Sequence, residues 1–257
     1  MPLKQYDYTL NAALYDEISL GGEAESIAMN RFLNRLFRRR KVETVLDTTC
    51  GTGAQAVGLA RYGYGVTASD LNDAMLALAR AKGRGMGISF RKGDMRTSRF
   101  GTFDAAIAIF NAVGHLDRKD FGRALRNVNA NLEVGGVFVF DIFNLAFMIA
   151  GGFRDYEYVE LARERGETKV VRFNNNTLDQ RRGIMTIRQR TIVQERFDKP
   201  RTRRETWEMQ LYTADELGAL LGDAGFGRIR FYGGPSEPFD RDTSLSIVAV
   251  AKKLRAP

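Results

Sequence analysis

The segment Val45–Gly53 most constrains what this chain can fold into, because it joins an apolar strand to a turn of small residues. The pattern that follows it predicts a helix beginning near Ala54. Glycines in such a turn let backbone N–H groups approach a ligand closely, and the N-terminus of the next helix favours negative charge. The segment therefore predicts a binding site at the carboxyl end of a strand in a parallel sheet.

An acidic residue follows the next predicted strand, 64–69, at a separation typical of nucleoside sites. Asp70 comes about 20 residues after the glycine turn, where a carboxylate accepts hydrogen bonds from ribose hydroxyls. Thr49 stands where a dinucleotide fingerprint has its first glycine, so the NAD version of the motif is imperfect. We predict a nucleoside site here, and the alternative is a tight turn that binds no ligand.

Strand and helix patterns alternate over residues 42–150, which predicts a doubly wound parallel sheet. The predicted strands are 42–47, 64–69, 87–91, 104–110 and 136–142, and the predicted helices lie near 54–62, 73–82 and 117–131. Asn72 and Asp117 are predicted helix caps, and Gly135–Gly136 is predicted to end the last of these helices. A final unit has a predicted helix at 213–222 and predicted strands at 228–232 and 245–251.

Residues 151–211 have a different character, since apolar and polar residues alternate there between turn signals. This pattern indicates antiparallel strands inserted into the α/β unit. The predicted fold class is α/β, with a doubly wound, mostly parallel, seven-stranded Rossmann-like sheet and an inserted antiparallel β cap. The predicted domains are an N-terminal helical lid (1–41), an α/β domain (42–150 and 212–257) and the cap (151–211).

Charge and cysteine content limit the partners that we expect. The net charge of +8 is compatible with nucleic acid, but Arg38–Lys41 closes a helix whose C-terminal dipole favours cations, so specific recognition of nucleic acid is disfavoured. The sequence contains no apolar run of about 18 residues, so it predicts no membrane span. The single cysteine, Cys50, fits a reducing cytoplasm, and one His with one Cys cannot make a His/Cys zinc site, so we expect no metal. An oligomer is compatible with the sequence.

Several motifs recur in order and together carry a family resemblance. They are Asp47–Gly53, Asp70, Asp94–Met95, Asn111–Leu116 and Leu132–Gly136. At these positions the chain resembles the class I S-adenosylmethionine-dependent methyltransferases. The resemblance implies S-adenosylmethionine as cofactor, with the ribose hydroxyls on Asp70 and the adenine amino group on Asp94. The cofactor-binding residues that it implies are Asp47, Thr48, Cys50, Gly51, Gly53, Asp70, Leu71, Met75, Asp94, Met95 and Asn111.

Within that family the chain resembles the glycine/sarcosine-type and the amino-sugar N-methyltransferases. The resemblance therefore implies an enzyme that methylates a small molecule, with an amine as acceptor. Residues 141–144 lack the basic residue that the glycine-type enzymes would have after Asp141. The alternatives are an O-methyltransferase of a small metabolite, a non-catalytic nucleoside-binding module and an RNA methyltransferase. The last is disfavoured because Asn111–Gly114 lacks an Asn/Asp-Pro-Pro-Tyr/Phe-type motif.

The acceptor side of the site is predicted from position along the chain. His115, the only histidine, follows the fourth predicted strand, and Asn144 follows the fifth, so both lie at the ligand-binding edge of the sheet. A protonated amine cannot attack a methyl group, so a nearby base is useful, and His115 is the predicted catalytic residue. Tyr15, His115 and Asn144 are predicted to line the acceptor pocket. The alternative is a loop histidine that is satisfied by the backbone.

Overall fold

Eight strands form the central sheet of this computed structural model, which describes residues 2–12, 15 and 22–255. All strands of the described residues, in chain order, are β1 (Thr44–Asp47), β2 (Gly65–Asp70), β3 (Ser89–Lys92), β4 (Phe103–Ala108), β5 (Leu132–Phe143), β6 (Tyr158–Arg165), β7 (Thr168–Asp179), β8 (Ile184–Glu195), β9 (Arg201–Gln210), β10 (Phe226–Gly234), β11 (Glu237–Pro238) and β12 (Ser246–Lys253). The main described helices are α1 (Tyr8–Asn11), α2 (Gly22–Arg38), α3 (Ala54–Arg61), α4 (Asp73–Lys82), α5 (Arg118–Ala130) and α6 (Ala214–Asp223).

The strand order of the central sheet is β11-β10-β12-β5-β4-β1-β2-β3, and the strands from β5 to β3 are parallel. The chain moves outward in one direction through β2 and β3 and in the other through β4 and β5. The order therefore reverses between β1 and β4, where a crevice opens at the carboxyl ends of the strands. The glycine turn follows β1 directly, so the topology brings it to this crevice.

Helices cover both faces of the sheet, as the apolar strands require. On one face α2, α3 and α4 pack onto a core that includes Leu33, Leu59 and Leu76. On the other face α5 and α6 pack onto a core that includes Phe121 and Leu217. The predicted doubly wound α/β fold is confirmed.

The sheet has eight strands rather than the predicted seven. The additional strand, β11, pairs antiparallel with the edge of β10, where Gly234 lies opposite Glu237. The chain turns back sharply between them, and Ser236 in the turn adopts a left-handed conformation (φ 78°). A two-residue strand beside a glycine-containing turn is too short to give a periodic signal, which explains why the sequence did not predict it.

A second sheet contains β6 to β9 in sequential antiparallel order, within the predicted insertion 151–211. Along β7 the residues Val170, Arg172, Asn174 and Asn176 are buried, while Asn175 and Thr177, on either side of Asn176, are exposed. This alternation gives the sheet one inner face and one outer face. Its inner face meets a core cluster that includes Trp207, Met209 and Leu145. We call this element the cap sheet.

The predicted end of α5 is wrong. Gly135–Gly136 does not end α5, which stops at Ala130; the glycines lie inside β5 instead. Gly135 has a φ of 91°, and a Cβ on Gly136 would stand 3.0 Å from the backbone oxygen of Asp104, so the strand needs glycines at this irregularity.

The predicted N-terminal helical lid is also only partly helical. Residues 2–7 carry no helix, and the backbone of Lys4 exchanges hydrogen bonds with Glu208 on β9. Residues 1, 13, 14 and 16–21 lie outside the described part of the chain. Among the described residues, none of the helices is both long enough and apolar enough to cross a membrane.

Candidate functional site

A cavity of about 1280 Å³ lies between the carboxyl ends of the central strands and the cap sheet. Its walls come from the glycine turn, α2, the loop after β4, the N-terminal segment and the inner face of the cap sheet. Cavities that bind small ligands are typically about 300–1,000 Å³. This one therefore has room for two ligands side by side.

The two glycines of the turn have different surroundings. Gly51 has a φ of 52°, and a Cβ built on it would meet nothing within 4 Å, so its backbone faces open space in the cavity wall. Gly53 has a φ of 89°, and a Cβ there would stand 3.2 Å from Ala79 of α4. Gly51 thus leaves a ligand access to the backbone, whereas Gly53 allows α3 and α4 to pack closely.

Buried hydrogen bonds hold the start of this turn. Thr48 donates from its hydroxyl to the Ile107 oxygen (2.9 Å), and the Asp47 carboxylate accepts from the Thr49 N–H (3.2 Å). Burial raises the pKa of Asp47 to about 7, although the Thr49 N–H opposes this change. Cys50 lines the cavity, and burial raises the pKa of its thiol, which makes it a packing residue rather than a nucleophile.

Asp70 connects the end of β2 to the glycine turn. One carboxylate oxygen accepts from the Gly51 N–H (2.8 Å) and the other from the Asn72 N–H (2.9 Å). Burial raises the pKa of Asp70, and these N–H groups oppose the change. Each carboxylate oxygen can accept a second hydrogen bond, so both remain able to receive a hydroxyl.

Three predicted residues beside Asp70 and Asp94 differ sharply in exposure. Leu71 is 57% exposed, whereas Met75 is fully buried in α4 and Met95 belongs to the core that α5 covers. Of the three, only Leu71 presents an apolar surface that a planar group could cover. Met75 and Met95 therefore act as packing residues in this structure.

The carboxylate of Asp94 is engaged by a neighbouring arginine. The Arg96 side chain donates to both Asp94 oxygens, at 2.6 Å from Nη2, and also contacts Asp120 of α5. Burial alone would raise the pKa of Asp94, but the hydrogen bonds from Arg96 outweigh it and hold the pKa below its usual range. An adenine amino group would have to share this carboxylate with the guanidinium.

On the side of the cavity formed by the glycine turn, α2 and α3, three lining residues each have a buried polar atom with no hydrogen-bond partner among the described residues. The atoms are Thr49 Oγ1, Asn30 Oδ1 and Gln55 Nε2. Sequence reasoning missed Asn30 and Gln55. The available signal was that Asn30 lies within the apolar stripe of α2, between Met29 and Phe32, where a polar side chain needs a reason.

The loop after β4 is strained and is fixed by a carboxylate that sequence reasoning did not select. Phe110 (φ 66°) and Asn111 (φ 57°) both have left-handed backbones, and the Asp141 side chain accepts from both of their N–H groups (2.6 and 3.1 Å). Asn111 Oδ1 accepts in turn from the Phe143 N–H (2.7 Å). Burial raises the pKa of Asp141 to about 7. Such strain persists only where the surroundings enforce it, and it is concentrated at functional sites.

His115 ends a short helical turn, Ala112–His115, in the cavity wall and contacts Tyr8 of the N-terminal segment. Its Nε2 lies 2.7 Å from the Tyr8 hydroxyl, while its Nδ1 is buried without a partner among the described residues. Burial lowers the pKa of His115 to about 4 and raises that of Tyr8. Both groups are therefore neutral at ordinary pH.

Aromatic rings connect this pair to the cap sheet. The centroids of Tyr8 and Tyr6 are 4.8 Å apart, and those of Tyr6 and Trp207 are 4.7 Å apart. Tyr15 lies 5.9 Å from Tyr8 and also lines the cavity. Sequence reasoning could not find the Tyr8–His115 contact, because no local pattern links residues so far apart in the chain.

The prediction that Asn144 lines the acceptor pocket is wrong. Asn144 is 0% exposed, and its amide donates to the Arg241 and Ser244 oxygens while its Oδ1 accepts from the Ala146 N–H. Its side chain joins the end of β5 to the loop before β12. All its strong hydrogen-bonding groups already have partners in the fold, so it holds structure rather than substrate.

Comparison with known proteins finds similarity to methyltransferases. Residues 45–136 match the family described as a methyltransferase domain. Human glycine N-methyltransferase is 31% identical over 136 residues, which cover 46% of this chain and 46% of that enzyme. The dTDP-4-amino-2,3,4,6-tetradeoxy-D-glucose N,N-dimethyltransferase of Saccharopolyspora spinosa is 27% identical over 230 residues, covering 88% and 89%. The chain spans about half the length of the glycine N-methyltransferases that it matches.

Solved structures share the fold over nearly the whole chain. Streptomyces venezuelae DesVI has a TM-score of 0.78 at 22% identity, covering 96% of this chain and 99% of that chain. CalS10, an amino pentose methyltransferase from Micromonospora echinaspora solved with S-adenosylmethionine bound, has a TM-score of 0.76 at 23% identity, covering 97% and 98%. Residues 45–136 therefore match a methyltransferase domain, and nearly the whole chain has the fold of S-adenosylmethionine-dependent methyltransferases.

Proposed function

We propose that this protein transfers the methyl group of S-adenosylmethionine to an amine nitrogen of a small-molecule acceptor. The observation that carries the proposal is a single cavity with the glycine turn on one side and the partly buried, neutral Tyr8–His115 pair on another. Relatives that are named as methyltransferases of glycine and of an amino sugar support an amine as acceptor.

The residues on the donor side fit S-adenosylmethionine. Gly51 leaves its backbone open to the cavity, and Asp70 retains acceptor capacity for ribose hydroxyls at the end of β2. The unpartnered Thr49 Oγ1, Asn30 Oδ1 and Gln55 Nε2 offer a hydroxyl, an acceptor and a donor, in that order, to a polar amino-acid tail. We propose these residues as the donor site, with Asp94 and Leu71 toward the adenine ring.

For methyl transfer, the protein has to align the amine with the methyl group and leave the amine lone pair free. S-adenosylmethionine, when bound, supplies a methyl carbon on a sulfonium, which the amine nitrogen attacks as the carbon–sulfur bond breaks. The protein then has to hold the amine in line and keep water out. The strained Phe110–Asn111 backbone, fixed by Asp141, gives the cavity wall after β4 one rigid shape for this purpose.

His115 is suited to orient the amine rather than to store its proton. With a pKa of about 4, the imidazole is a far weaker base than an alkylamine and stays neutral beside it. In the productive tautomer Nε2 carries the hydrogen toward the Tyr8 oxygen, and the Nδ1 lone pair accepts a hydrogen bond from the amine N–H. The amine lone pair is thereby left free for attack. The proton released on methylation leaves with solvent.

Mass spectrometry of the protein with S-adenosylmethionine and a panel of amines, phenols and alcohols tests the proposal. We expect mass gains of one or more methyl groups on at least one amine, together with formation of S-adenosylhomocysteine. Methylation of phenols or alcohols alone would favour the O-methyltransferase alternative. Tight binding of S-adenosylhomocysteine without transfer to any compound would favour a non-catalytic binding module.

A further inference from the structure

The loop after β4 has positive φ at two residues that are not glycine. The turn after β1, at the same edge of the sheet, reaches positive φ at Gly51 and Gly53, where the lack of a Cβ removes the strain. The loop after β4 reaches the same left-handed region with Phe110 (φ 66°) and Asn111 (φ 57°). Asparagine tolerates this region, but a bulky phenylalanine is an outlier in it. The chain therefore keeps strain at a position where glycine would have removed it.

Both side chains of this turn make contacts that glycine would lose. Phe110 packs against the core on the face of the sheet that α2, α3 and α4 cover, and it also lines the cavity. Asn111 Oδ1 accepts from the Phe143 N–H (2.7 Å), which joins the turn to the end of β5. A strained backbone persists only where its surroundings enforce it, so another group has to hold this turn.

The Asp141 carboxylate is the group that holds the turn. Its two oxygens accept separately from the Phe110 N–H (2.6 Å) and the Asn111 N–H (3.1 Å). Successive N–H groups that converge in this way form a concave site for an anion, and here the anion is a side chain of the neighbouring strand. Asp141 is only 7% exposed, so the protein accepts the cost of burying a carboxylate in order to hold the turn.

The turn leads directly into His115. Asn111 precedes the short helical turn Ala112–His115, and its backbone oxygen accepts from the Gly114 N–H (2.9 Å). A Cβ on Gly114 would stand 2.9 Å from the end of the Met209 side chain, so this helical turn also packs closely against β9. A change in the backbone of Asn111 would redirect the helical turn. The conformation at Asn111 therefore sets where the imidazole of His115 lies in the cavity wall.

A second carboxylate, at the opposite end of β4, binds two backbone N–H groups without lining the cavity. Asp104 accepts from the N–H groups of Glu43 and Thr44, both at 2.9 Å. Neither of these residues has a positive φ, and Asp104 is not among the residues of the cavity wall. Asp104 thus joins the start of β4 to β1, whereas Asp141 supports a strained turn beside the site.

We propose that Asp141 is a positioning residue for methyl transfer, which acts by holding the left-handed turn that places His115 in the cavity wall. This inference rests on the proposed amine methylation and adds a residue to that same site. Asp141→Asn keeps the size of the side chain but sets an NH₂ group against one of the two N–H groups. Asp141→Glu, which keeps the charge but moves both oxygens by a methylene group, takes its place should the asparagine variant fold poorly.

Kinetics with an amine of the panel above that the wild-type protein methylates test the link to His115. Asp141→Asn should lower kcat by about 2–12-fold, as for loss of the hydrogen bond from His115, with nearly unchanged affinity for S-adenosylhomocysteine. In the His115→Ala background the same change should lower kcat no further, because the two residues act as a unit. Asp104→Asn is the control and should leave kcat unchanged in both backgrounds. An unchanged kcat in Asp141→Asn, or losses that multiply in the double variant, overturn the proposal.

Two variants of Phe110 test whether the effect passes through the strained backbone. Phe110→Ala and Phe110→Gly both remove the ring, but only glycine adopts a positive φ without strain. Asp141→Asn should therefore lower kcat in the Phe110→Ala protein and have little effect on kcat in the Phe110→Gly protein. Equal losses in the two backgrounds would mean that Asp141 does not act by holding the turn, which overturns the proposal.

A measurement that needs no acceptor separates failure of this proposal from failure of the proposed function. His115 is the only histidine, so its imidazole resonances report on its surroundings without overlap. Well above the pKa of about 7 that burial gives Asp141, Asp141→Asn should shift these resonances and Asp104→Asn should not. A shift without methylation of any amine rejects the proposed function and leaves the hold of Asp141 on His115 intact. Methylation by the wild type, with unmoved resonances in Asp141→Asn, overturns the positioning role alone.

Discussion

At the residue scale, Asp70 links the predicted ribose site to the conformation of the glycine turn. Asp70→Asn retains the shape of the side chain but replaces one acceptor oxygen with an NH₂ group, which opposes the N–H of Gly51 or Asn72. We expect binding of S-adenosylhomocysteine to weaken by about 1.5–3 kcal/mol, as for a lost hydrogen bond to a charged group. Calorimetry measures this change directly.

The matched control for this change is Asp73→Asn, three residues further along the chain. Asp73 is the first residue of α4, and its carboxylate contacts Lys92 at the exposed surface. Its loss should leave donor affinity unchanged. Equal affinity in the Asp70 variant and in the wild type would remove Asp70 from the donor site.

A second residue-scale prediction concerns turnover. His115→Ala removes the nitrogen that we propose as acceptor for the amine N–H, and it leaves the glycine turn intact. Turnover should fall by about 2–12-fold, as for the loss of one neutral hydrogen bond worth about 0.5–1.5 kcal/mol, with donor affinity nearly unchanged. Tyr8→Phe, which removes only the hydroxyl on Nε2, should have a smaller effect in the same direction. A loss confined to the acceptor's KM would assign His115 to binding alone.

The protonation of His115 can be measured without interference, since it is the only histidine of the chain. Its imidazole proton resonance should titrate with a midpoint near the pKa of about 4 set by burial. In urea-unfolded protein the midpoint should return to about 6.5. A midpoint near 6.5 in the folded protein would contradict the buried, neutral ring that the proposal needs.

The sign of the linked stability change follows from these two values. Above pH 6.5 the imidazole is neutral in both the folded and the unfolded state, so it adds no pH dependence to the free energy of unfolding. As the pH falls from about 6.5 to about 4, the unfolded chain takes up the proton first, so stability is lost at about 1.4 kcal/mol per pH unit. Asp47 and Asp141, whose pKa values burial raises to about 7, act in the opposite direction over the same range. The resonance of the histidine is therefore a cleaner readout than the total stability.

At the scale of elements, Asn144 joins three segments rather than contacting an acceptor. Asn144→Ala leaves the oxygens of Arg241 and Ser244 and the N–H of Ala146 without this partner. The free energy of unfolding, measured with urea, should fall by about 1–3 kcal/mol. The exposed asparagine of the cap sheet, Asn175, serves as control. Unchanged stability combined with a raised acceptor KM would return Asn144 to the acceptor site.

Elements whose signals are local could be predicted from the sequence. The predicted caps are confirmed: Asn72 accepts from the Met75 N–H, and Asp117 accepts from the Asp120 N–H. Each cap depends on residues only three positions apart. The central strands β4 and β5 were equally clear, because their buried stretches 105–108 and 137–140 are continuously apolar.

Features that depend on distant parts of the chain could not be predicted. Tyr8 reaches His115, and Glu43 and Thr44 donate to Asp104, only because the fold brings these segments together. The inner face of β7 belongs to the same class, since Val170 and Val171 are adjacent and residues 174–177 are all polar, so the sequence does not say which face is buried. Strand periodicity gives two faces, but only tertiary packing decides which one lines a cavity.

At the scale of the whole molecule, one cluster of positively charged residues lies away from the cavity. Arg40, Arg228, Arg230 and Lys252 surround a small recess of about 200 Å³ on the outer part of the central sheet, and none of them lines the large cavity. Such a cluster attracts any polyanion at low salt without recognising a sequence. We therefore expect electrostatic association with nucleic acid that is unrelated to the proposed activity.

The last prediction separates this association from a role in RNA recognition. Binding to a mixed-sequence RNA or DNA oligomer should disappear by about 0.3 M salt, roughly three times the concentration at which the Debye length is about 10 Å. The double variant Arg228→Ala/Arg230→Ala should weaken binding at low salt and reduce the slope of log K against log salt by about 2. Arg181→Ala/Arg182→Ala, in the exposed turn between β7 and β8, removes the same charge elsewhere and is the control.

Neither double variant should change the affinity for S-adenosylhomocysteine, because the recess and the donor site share no residue. Tight binding of RNA that persists at about 0.3 M salt, beyond the range of simple screening, would favour an RNA acceptor over a small amine. Competition between RNA and the amine acceptor would support an RNA acceptor further, since it would indicate that both bind at the same site. Loss of nucleic-acid binding with salt, together with unaltered amine methylation, is the outcome that we expect from a surface cluster acting only through its charge.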